Sequence, residues 1–349
     1  MLSDEHLISL AEPRIPVWAI NLGLVLLLAG LWPLNWVLEE QVDPYFLRIL
    51  VLIGINIILA TSLNLINGIT GQFSLGHAGF MAVGAYTTGA LMKHFNPADG
   101  TAGLVLLGLL VAGGVMAAIA GLLVGIPTLR LRGDYLAIAT LGFGEIIYVL
   151  ILNTEHIGPL EIGGSSGLHA IPIHTNFFWT YAAAVVCVVS IWRLAYSTKG
   201  IAFRAVREDE VAAAAMGIDT TYHKAMAFVI GAFFAGVAGG LSATYYGNLD
   251  PESFRFMRSI EIVVMVVLGG SGSITGVTVM AVVLTCLPEL LRPFQQWRMV
   301  CYSLVLILMM LLRPEGILGS REIWWTRRRL IPGTHKELGE GQPSQELLR

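Results

Sequence analysis

Apolar residues in this chain come in long unbroken runs, not in alternating or seven-residue patterns. Residues 17–34, 46–66, 101–126, 135–152, 177–195, 225–246 and 299–312 are almost free of charge. A helix that crosses a bilayer needs roughly 20 mostly apolar residues, so these runs predict membrane spans. Residues 72–92 are less hydrophobic but carry no charge before Lys93, and they count as a further span. Residues 260–291 are apolar but broken by "GGSGSITG", which predicts two short segments instead of one long one. The sum is about ten segments. The fold class is all-α: a polytopic transmembrane helix bundle with short or interrupted helices among its members. The first run follows Arg14 and could imitate a signal peptide. It lacks a small-residue cleavage site and is long for one, so it reads as a retained helix.

Two kinds of irregularity mark the runs. Gly113, Ala117, Gly121 and Gly125 recur every four residues, as do Gly231, Ala235, Gly239 and Ala232, Gly236, Gly240. Small residues at that spacing let helix backbones approach closely in lipid. The other irregularity is "LNLINGITGQFSLGHAGFMAVGAY", residues 63–86, where glycines crowd among Asn, Thr, Gln, Ser and His. Irregular backbone at membrane depth is tolerated where protein buries it or where it lines a wet cavity. "NGITG" therefore predicts a helix break, with a small-residue helix resuming near Ser74. "SITG" at 273–276 echoes it before another small-residue run. Paired interruptions point to a transport pathway between pseudo-repeated halves; the plainer alternative is that the glycines serve helix packing alone.

Composition agrees with the pattern. The chain has 349 residues, 55% hydrophobic and 13% charged, against about 25% charged for a soluble domain. Mean hydropathy is +0.72. A net charge of −3 gives no footing for nucleic acid. Cys187, Cys286 and Cys301 lie inside apolar runs and read as packing residues. "PTLRLRGD", "RLAYSTKGIAFRAVRE" and "REIWWTRRRL" are rich in Arg, whereas "LEEQVDP" is acidic and 153–176 has neither Lys nor Arg. The positive-inside rule then places both termini and all three basic stretches in the cytoplasm, with Arg255, Arg258, Arg292 and Arg298 as outside exceptions. The expected organisation is a cytoplasmic segment 1–16, a permease domain 17–318 with a cytoplasmic loop 197–223, and a cytoplasmic basic and polar tail 319–349. In that tail Trp324, Trp325, Arg327, Arg328 and Arg329 suit a headgroup layer.

Ionisable residues at membrane depth are few. Glu145 is the clearest and His77 the second, while Glu261 and Glu289 are expected near helix ends. Such groups face a bundle interior and mark either a pathway or a helix lock. Gln72, Ser74, His77, Thr87 and Glu145 are the candidates for lining a pathway. There is no relay of acids and histidines, no arginine ladder and no repeated filter loop. No lysine follows a glycine, so the chain holds no phosphate-binding loop of the Gly-Lys type and needs an outside energy source. His156, His169 and His174 share one loop without a firm metal spacing, which leaves an intramembrane enzyme as a remote alternative.

One cytoplasmic stretch looks like a handle for that source. "KGIAFRAVREDEVAAAAMGIDTTYHK", residues 199–224, has high helix propensity. Arg204, Arg207 and Glu208 fall on one face of such a helix. Alanines 212–215 offer a smooth patch to a soluble partner, and Gly217 is a natural stop. The plain reading is an ordinary solvated amphipathic loop.

"AVREDEVAAAAMGI" resembles the cytoplasmic coupling helix of permeases of ATP-binding-cassette importers. Ala212, Ala213 and Gly217 fall on the alanine, alanine and glycine of that signature. Val211 stands where its glutamate is expected, with Glu210 one position earlier. "GQFSLGHAGFMAVGAY", "GDYLAIATLGFGEII", "GGSSGLHAIP" and "VVLGGSGSITG" also resemble landmarks of the branched-chain amino acid permeases of the LivM type, over roughly residues 45–318. The resemblance implies a subunit that translocates neutral, branched-chain amino acids through the bacterial inner membrane. It implies as partners a second permease of the LivH type, two cytoplasmic ATPase subunits and an extracytoplasmic binding protein, besides membrane lipid. ATP and Mg would be bound by the ATPases, with no cofactor and no catalysis in this chain. Phe203, Arg204, Arg207, Glu208, Asp209, Glu210, Ala212, Ala213 and Gly217 would couple it to them. Rivals are a permease of the same clan for urea, short amides or a pentose, and an ATP-independent carrier or channel.

Overall fold

The computed structural model describes residues 17–97, 101–128, 131, 133–292, 297–312, 316, 317 and 319. Twelve α-helices lie among them: α1 Val17–Gln41, α2 Pro44–Asn64, α3 His77–Phe95, α4 Ala102–Thr128, α5 Asp134–Asn153, α6 Phe177–Ala195, α7 Thr198–Glu208, α8 Glu210–Ala215, α9 Thr220–Tyr246, α10 Phe256–Gly269, α11 Ile274–Leu290 and α12 Arg298–Leu312. Six segments are long and apolar enough to cross a membrane: Gly23–Gln41, Pro44–Ile69, Ala102–Thr128, Asp134–Asn153, Phe177–Ala195 and Thr220–Tyr246. The chain is a multi-pass helical membrane protein. Segment 1–16 and the tryptophans and arginines of the tail lie outside the described residues.

Element boundaries differ from the hydropathy reading where backbone chemistry intervenes. The first helix runs on to Gln41 and carries Pro33 within it. The run 72–92 becomes a helix that starts at His77, because Gly71 adopts φ +70° and residues 72–76 form no regular structure. Residues 260–291 form two short helices, α10 and α11, as the interruption predicts. Gly270 and Gly272, at φ +104° and +97°, make the turn between them. The stretch 199–224 is not one helix: it breaks at Asp209 into α7 and α8 before α9 begins.

Three helices, α3, α4 and α9, pack most closely. A Cβ on Gly84 would lie 2.2 Å from Gly236 O, one on Gly239 would lie 2.0 Å from Met81 O, and one on Gly236 would lie 2.5 Å from Ala117 Cβ. The four-residue spacing of small residues is thus a set of backbone contacts, and Thr88 Oγ1 donates to Leu109 O (3.2 Å) within it. Beside this trio, α2 is enclosed by α6, α9 and α11 and is buried on nearly every face. It carries four buried polar residues: Asn56, Thr61, Ser62 and Asn64. Helix α1 stands at the margin, joined to α6 by Trp32 edge-on to Phe178 (5.2 Å) and by Asn35 Oδ1 accepting from Phe178 N (3.1 Å). At the ends of α2 and α11, Tyr45 donates to Glu289, and Arg292 lies 5.0 Å over the tyrosine ring. A small hairpin, β1 His156–Ile157 with β2 Leu160–Glu161, covers the end of α3 through a Lys93–Glu161 ion pair of 2.7 Å. Lys93 holds the Glu161 carboxyl below the usual carboxylate range.

Candidate functional site

Helix α2 does not end cleanly. Its last turn, Leu65–Ile69, is a π-helix in which Thr70 N reaches back to Leu65 O (3.2 Å). Wide turns of this kind occur often at functional sites. The side chain of Thr70 bonds the same turn, Oγ1 donating to Ile66 O at 2.7 Å. Gly71 then reverses the chain, and Asn67 clamps the extended strip: its Nδ2 donates to Ser74 O (3.3 Å) and its Oδ1 accepts from Ser74 N (3.1 Å). The second break, between α10 and α11, is seated directly against the first. Asn64 Oδ1 accepts from Gly272 N (2.9 Å) and its Nδ2 donates to Ser273 O (3.3 Å). A Cβ on Gly68 would lie 2.3 Å from Gly272 N, so glycine is what lets the two breaks touch. The glycines noted in both stretches are therefore one contact region.

The pathway candidates gather around the first break, with one exception. Gln72 is buried and donates to Thr70 Oγ1 (3.2 Å) and Lys224 O (3.4 Å). His77 is fully buried, with Nε2 2.9 Å from Ser62 Oγ. Ser62 Oγ also lies 2.9 Å from Leu59 O, so the imidazole, the hydroxyl and this carbonyl form one buried polar group. His77 Nδ1, Ser74 Oγ, Gln72 Oε1 and Thr61 Oγ1 are buried without a hydrogen-bond partner. One such atom costs about 1–3 kcal/mol, so a row of them along 61–77 marks a polar seam. Thr87 is half-buried further along α3, about 15 Å from His77 by helical rise. It is not part of this cluster. Glu145 is half-buried on α5, and its Oε1 accepts from Phe256 N (3.2 Å), holding the first residue of α10. Nearby, Ser259 Oγ accepts from Ala78 N (3.1 Å) and Thr140 Oγ1 from Leu75 N (3.1 Å). The starts of α3 and α10 therefore converge on α5, and Glu145 lines a small cleft there with Leu75, Gly79, Phe254 and Ser259.

The handle is gripped by its own chain. Phe203 is buried, edge-on to His223 (5.8 Å). Arg204 donates to Ala195 O (2.7 Å) and lies 5.5 Å over the Tyr196 ring. Arg207 Nη1 donates to Gly68 O (2.6 Å), at the π-turn. A Cβ on Gly71 would lie 2.8 Å from Arg207 Cγ, and one on Gly272 2.6 Å from its Nη1, so the first break makes room for the stem of this arginine and the second for its guanidinium. Asp209 caps α8, accepting from Val211 N (2.8 Å) and Ala212 N (3.0 Å); these bonds lower its carboxyl pKa. Glu210 pairs with the buried Lys224 at 2.6 Å, tying α8 to α9. Ala213 is buried, and Gly217 turns the chain at φ +85°. Glu208 and Ala212 face outward, beside Val211 and Met216, which are 64% and 84% exposed. Arg204, Arg207 and Glu208 are all exposed, as their shared helix face predicts, while the two arginines also reach back to Ala195 O and Gly68 O. Sequence reasoning did not single out Asn64, Gly272 or Lys224. The glycine-rich interruption before 273 pointed to the region of Gly272, whereas nothing local marked Asn64 or Lys224.

The family of the permease component of branched-chain amino acid transport systems matches residues 45–313. The chain is 39% identical to the high-affinity branched-chain amino acid transport system permease protein LivM of Escherichia coli K12, covering 84% of this chain and 73% of that protein. It is 25% identical to the probable LivM permease of Methanocaldococcus jannaschii over 79% of this chain and 93% of that protein. The LivH permease of Salmonella typhimurium is 33% identical over 48% of this chain and 54% of its own length. No solved structure matches the chain. With the matched region running from the start of α2 to the end of α12, the chain belongs to the permease components of branched-chain amino acid transport systems.

Proposed function

We propose that this chain is a membrane-spanning subunit of an ATP-driven importer in the bacterial inner membrane, passing branched-chain amino acids received from an extracytoplasmic binding protein. It works beside a second, LivH-type permease, and two cytoplasmic ATPase subunits bind the nucleotide. Helices α1–α6 and α9–α12 make about ten crossings, with both termini in the cytoplasm. The outward patch of Val211, Ala212 and Met216 is the surface the ATPases press. The buried seam from Thr61 to His77 and the Glu145 cleft line the route.

The observation that carries this reading is the bond from Arg207 to Gly68 O. It joins the handle to the two helix breaks, so a displacement of α7 and α8 acts directly on the route's backbone. Moving a two-state equilibrium from 1:99 to 99:1 takes about 5.5 kcal/mol. Charge-assisted hydrogen bonds contribute about 1.5–3 kcal/mol each, so the Arg204 and Arg207 ties are of the right order to transmit it. Replacing Arg204, Arg207 and Glu208 together by alanine in the reconstituted complex should abolish ATP-driven leucine uptake while ATP is still hydrolysed. Uptake and stimulated hydrolysis that both survive would refute the coupling role.

A further inference from the structure

Arg258 and Glu261, both near the start of α10, form a linked pair. Arg258, in the first turn of α10, sends Nη1 to Glu261 Oε2 (2.7 Å) and Nη2 to Asn56 Oδ1 (2.7 Å). Asn56 is buried and donates onward to Thr285 Oγ1 (2.8 Å), which donates to Ala281 O (2.6 Å). The guanidinium is thereby anchored to α2 and α11 as well as to its own helix.

Asn56 gives the position of this cluster along α2, and so its depth if that span crosses the bilayer as proposed. It lies at the midpoint of the 26-residue span Pro44–Ile69, about 18 Å of helix from either end. Yet the pair is not buried: the Glu261 side chain is 47% exposed and that of Arg258 23%. Lipid does not accept a half-exposed carboxylate at that depth. A purely structural pair needs no exposure. Phe256, two residues before Arg258, is the one held by Glu145, so a second half-buried carboxylate stands at the head of the same helix. Met257, 66% exposed, and the partly exposed Ile260 and Val264 share the outward stripe of α10 with Glu261.

We infer that Arg258 and Glu261 form a station on the translocation route that reads the zwitterion of the passing amino acid. The guanidinium fork takes the α-carboxylate, Glu261 takes the ammonium, and the Met257–Ile260–Val264 stripe meets the aliphatic side chain. Substrate re-partners a pre-existing ion pair, so each charge stays compensated throughout and no bare charge enters the membrane. Asn56 keeps the guanidinium in place during the exchange. This inference rests on the proposed amino acid import.

The test uses the complete transporter in proteoliposomes. Arg258→Gln and Glu261→Gln are each expected to slow leucine uptake about tenfold, while hydrolysis stimulated by the leucine-loaded binding protein persists. Arg258→Lys, which keeps charge but not the fork, should fall between. Independently, Glu261→Cys, with the native cysteines replaced, should react with a cationic, membrane-impermeant thiol reagent. Leucine-loaded binding protein should protect it, and leucine-free binding protein should not. Unchanged uptake in both glutamine variants overturns the inference. So does a thiol that is unreactive in every nucleotide state, or equally reactive with and without leucine. Loss of the second permease on purification, with an unreactive thiol, assigns the pair to the subunit interface instead. Should the glutamine variants not assemble, the thiol result decides. Absence of ATP-driven leucine uptake by the unmodified complex would instead reject the import reading itself.

Discussion

A single asparagine holds the two helix breaks together. Asn64 uses both ends of its amide, one toward Gly272 N and one toward Ser273 O, in a fully buried setting. Asn64→Leu removes both bonds and strands Gly272 N, at a cost of about 1–3 kcal/mol, while Ser273 O keeps its bond from Val277 N (3.2 Å). The detergent-solubilised variant should melt several degrees lower and lose uptake; melting and uptake at wild-type levels would show that the breaks need no tie. Asn64 was not legible from sequence, because one asparagine inside an apolar run has no periodic signature. Glu145 and His77 were legible, since titratable groups in such runs are rare. The tie from Arg258 to Asn56 was not legible, because it spans 202 residues.

Backbone approach at small residues is what allows α3, α4 and α9 to form a unit. Gly84→Val would drive a branched side chain into Gly236, where even a Cβ lies 2.2 Å from the carbonyl oxygen. Overpacking of this sort costs about 1–3 kcal/mol, often more where backbone is the obstacle. The expected outcome is aggregation on size-exclusion chromatography, whereas Gly108→Val on the open face of α4, with nothing within 4 Å, should run as wild type. At this scale the sequence was a good guide. Hydropathy located the apolar helices, and the four-residue spacing of glycine and alanine located the contact. It failed at boundaries set by single torsions: the late start of α3 after Gly71, and the division of the handle at Asp209, whose side chain caps a new helix instead of continuing the old one.

For the whole molecule, two outward features are the ones the proposed partners would meet. The patch of Val211, Ala212 and Met216 is apolar and exposed, and the Arg258–Glu261 pair on α10 is charged and partly exposed. Gentle extraction from the native membrane should therefore bring down a second permease and an ATPase with this chain, identified by mass spectrometry; a pure single species that still transports would contradict the proposed assembly. Function was legible at this scale because several short motifs occur in the right order along one chain. The working contacts were not, because the bond from Arg207 to Gly68 spans 139 residues and no local pattern encodes it.

The wide turn at Leu65–Ile69 has a mechanical corollary. A π-turn contains one residue more than an α-turn, so tightening it to α geometry displaces the register by one residue. In an α-helix one residue is a rotation of about 100° and a rise of about 1.5 Å. Arg207 bonds a carbonyl inside that turn. On the proposed coupling, a pull on α7 would therefore bear on the one part of this segment whose register has a residue to spare.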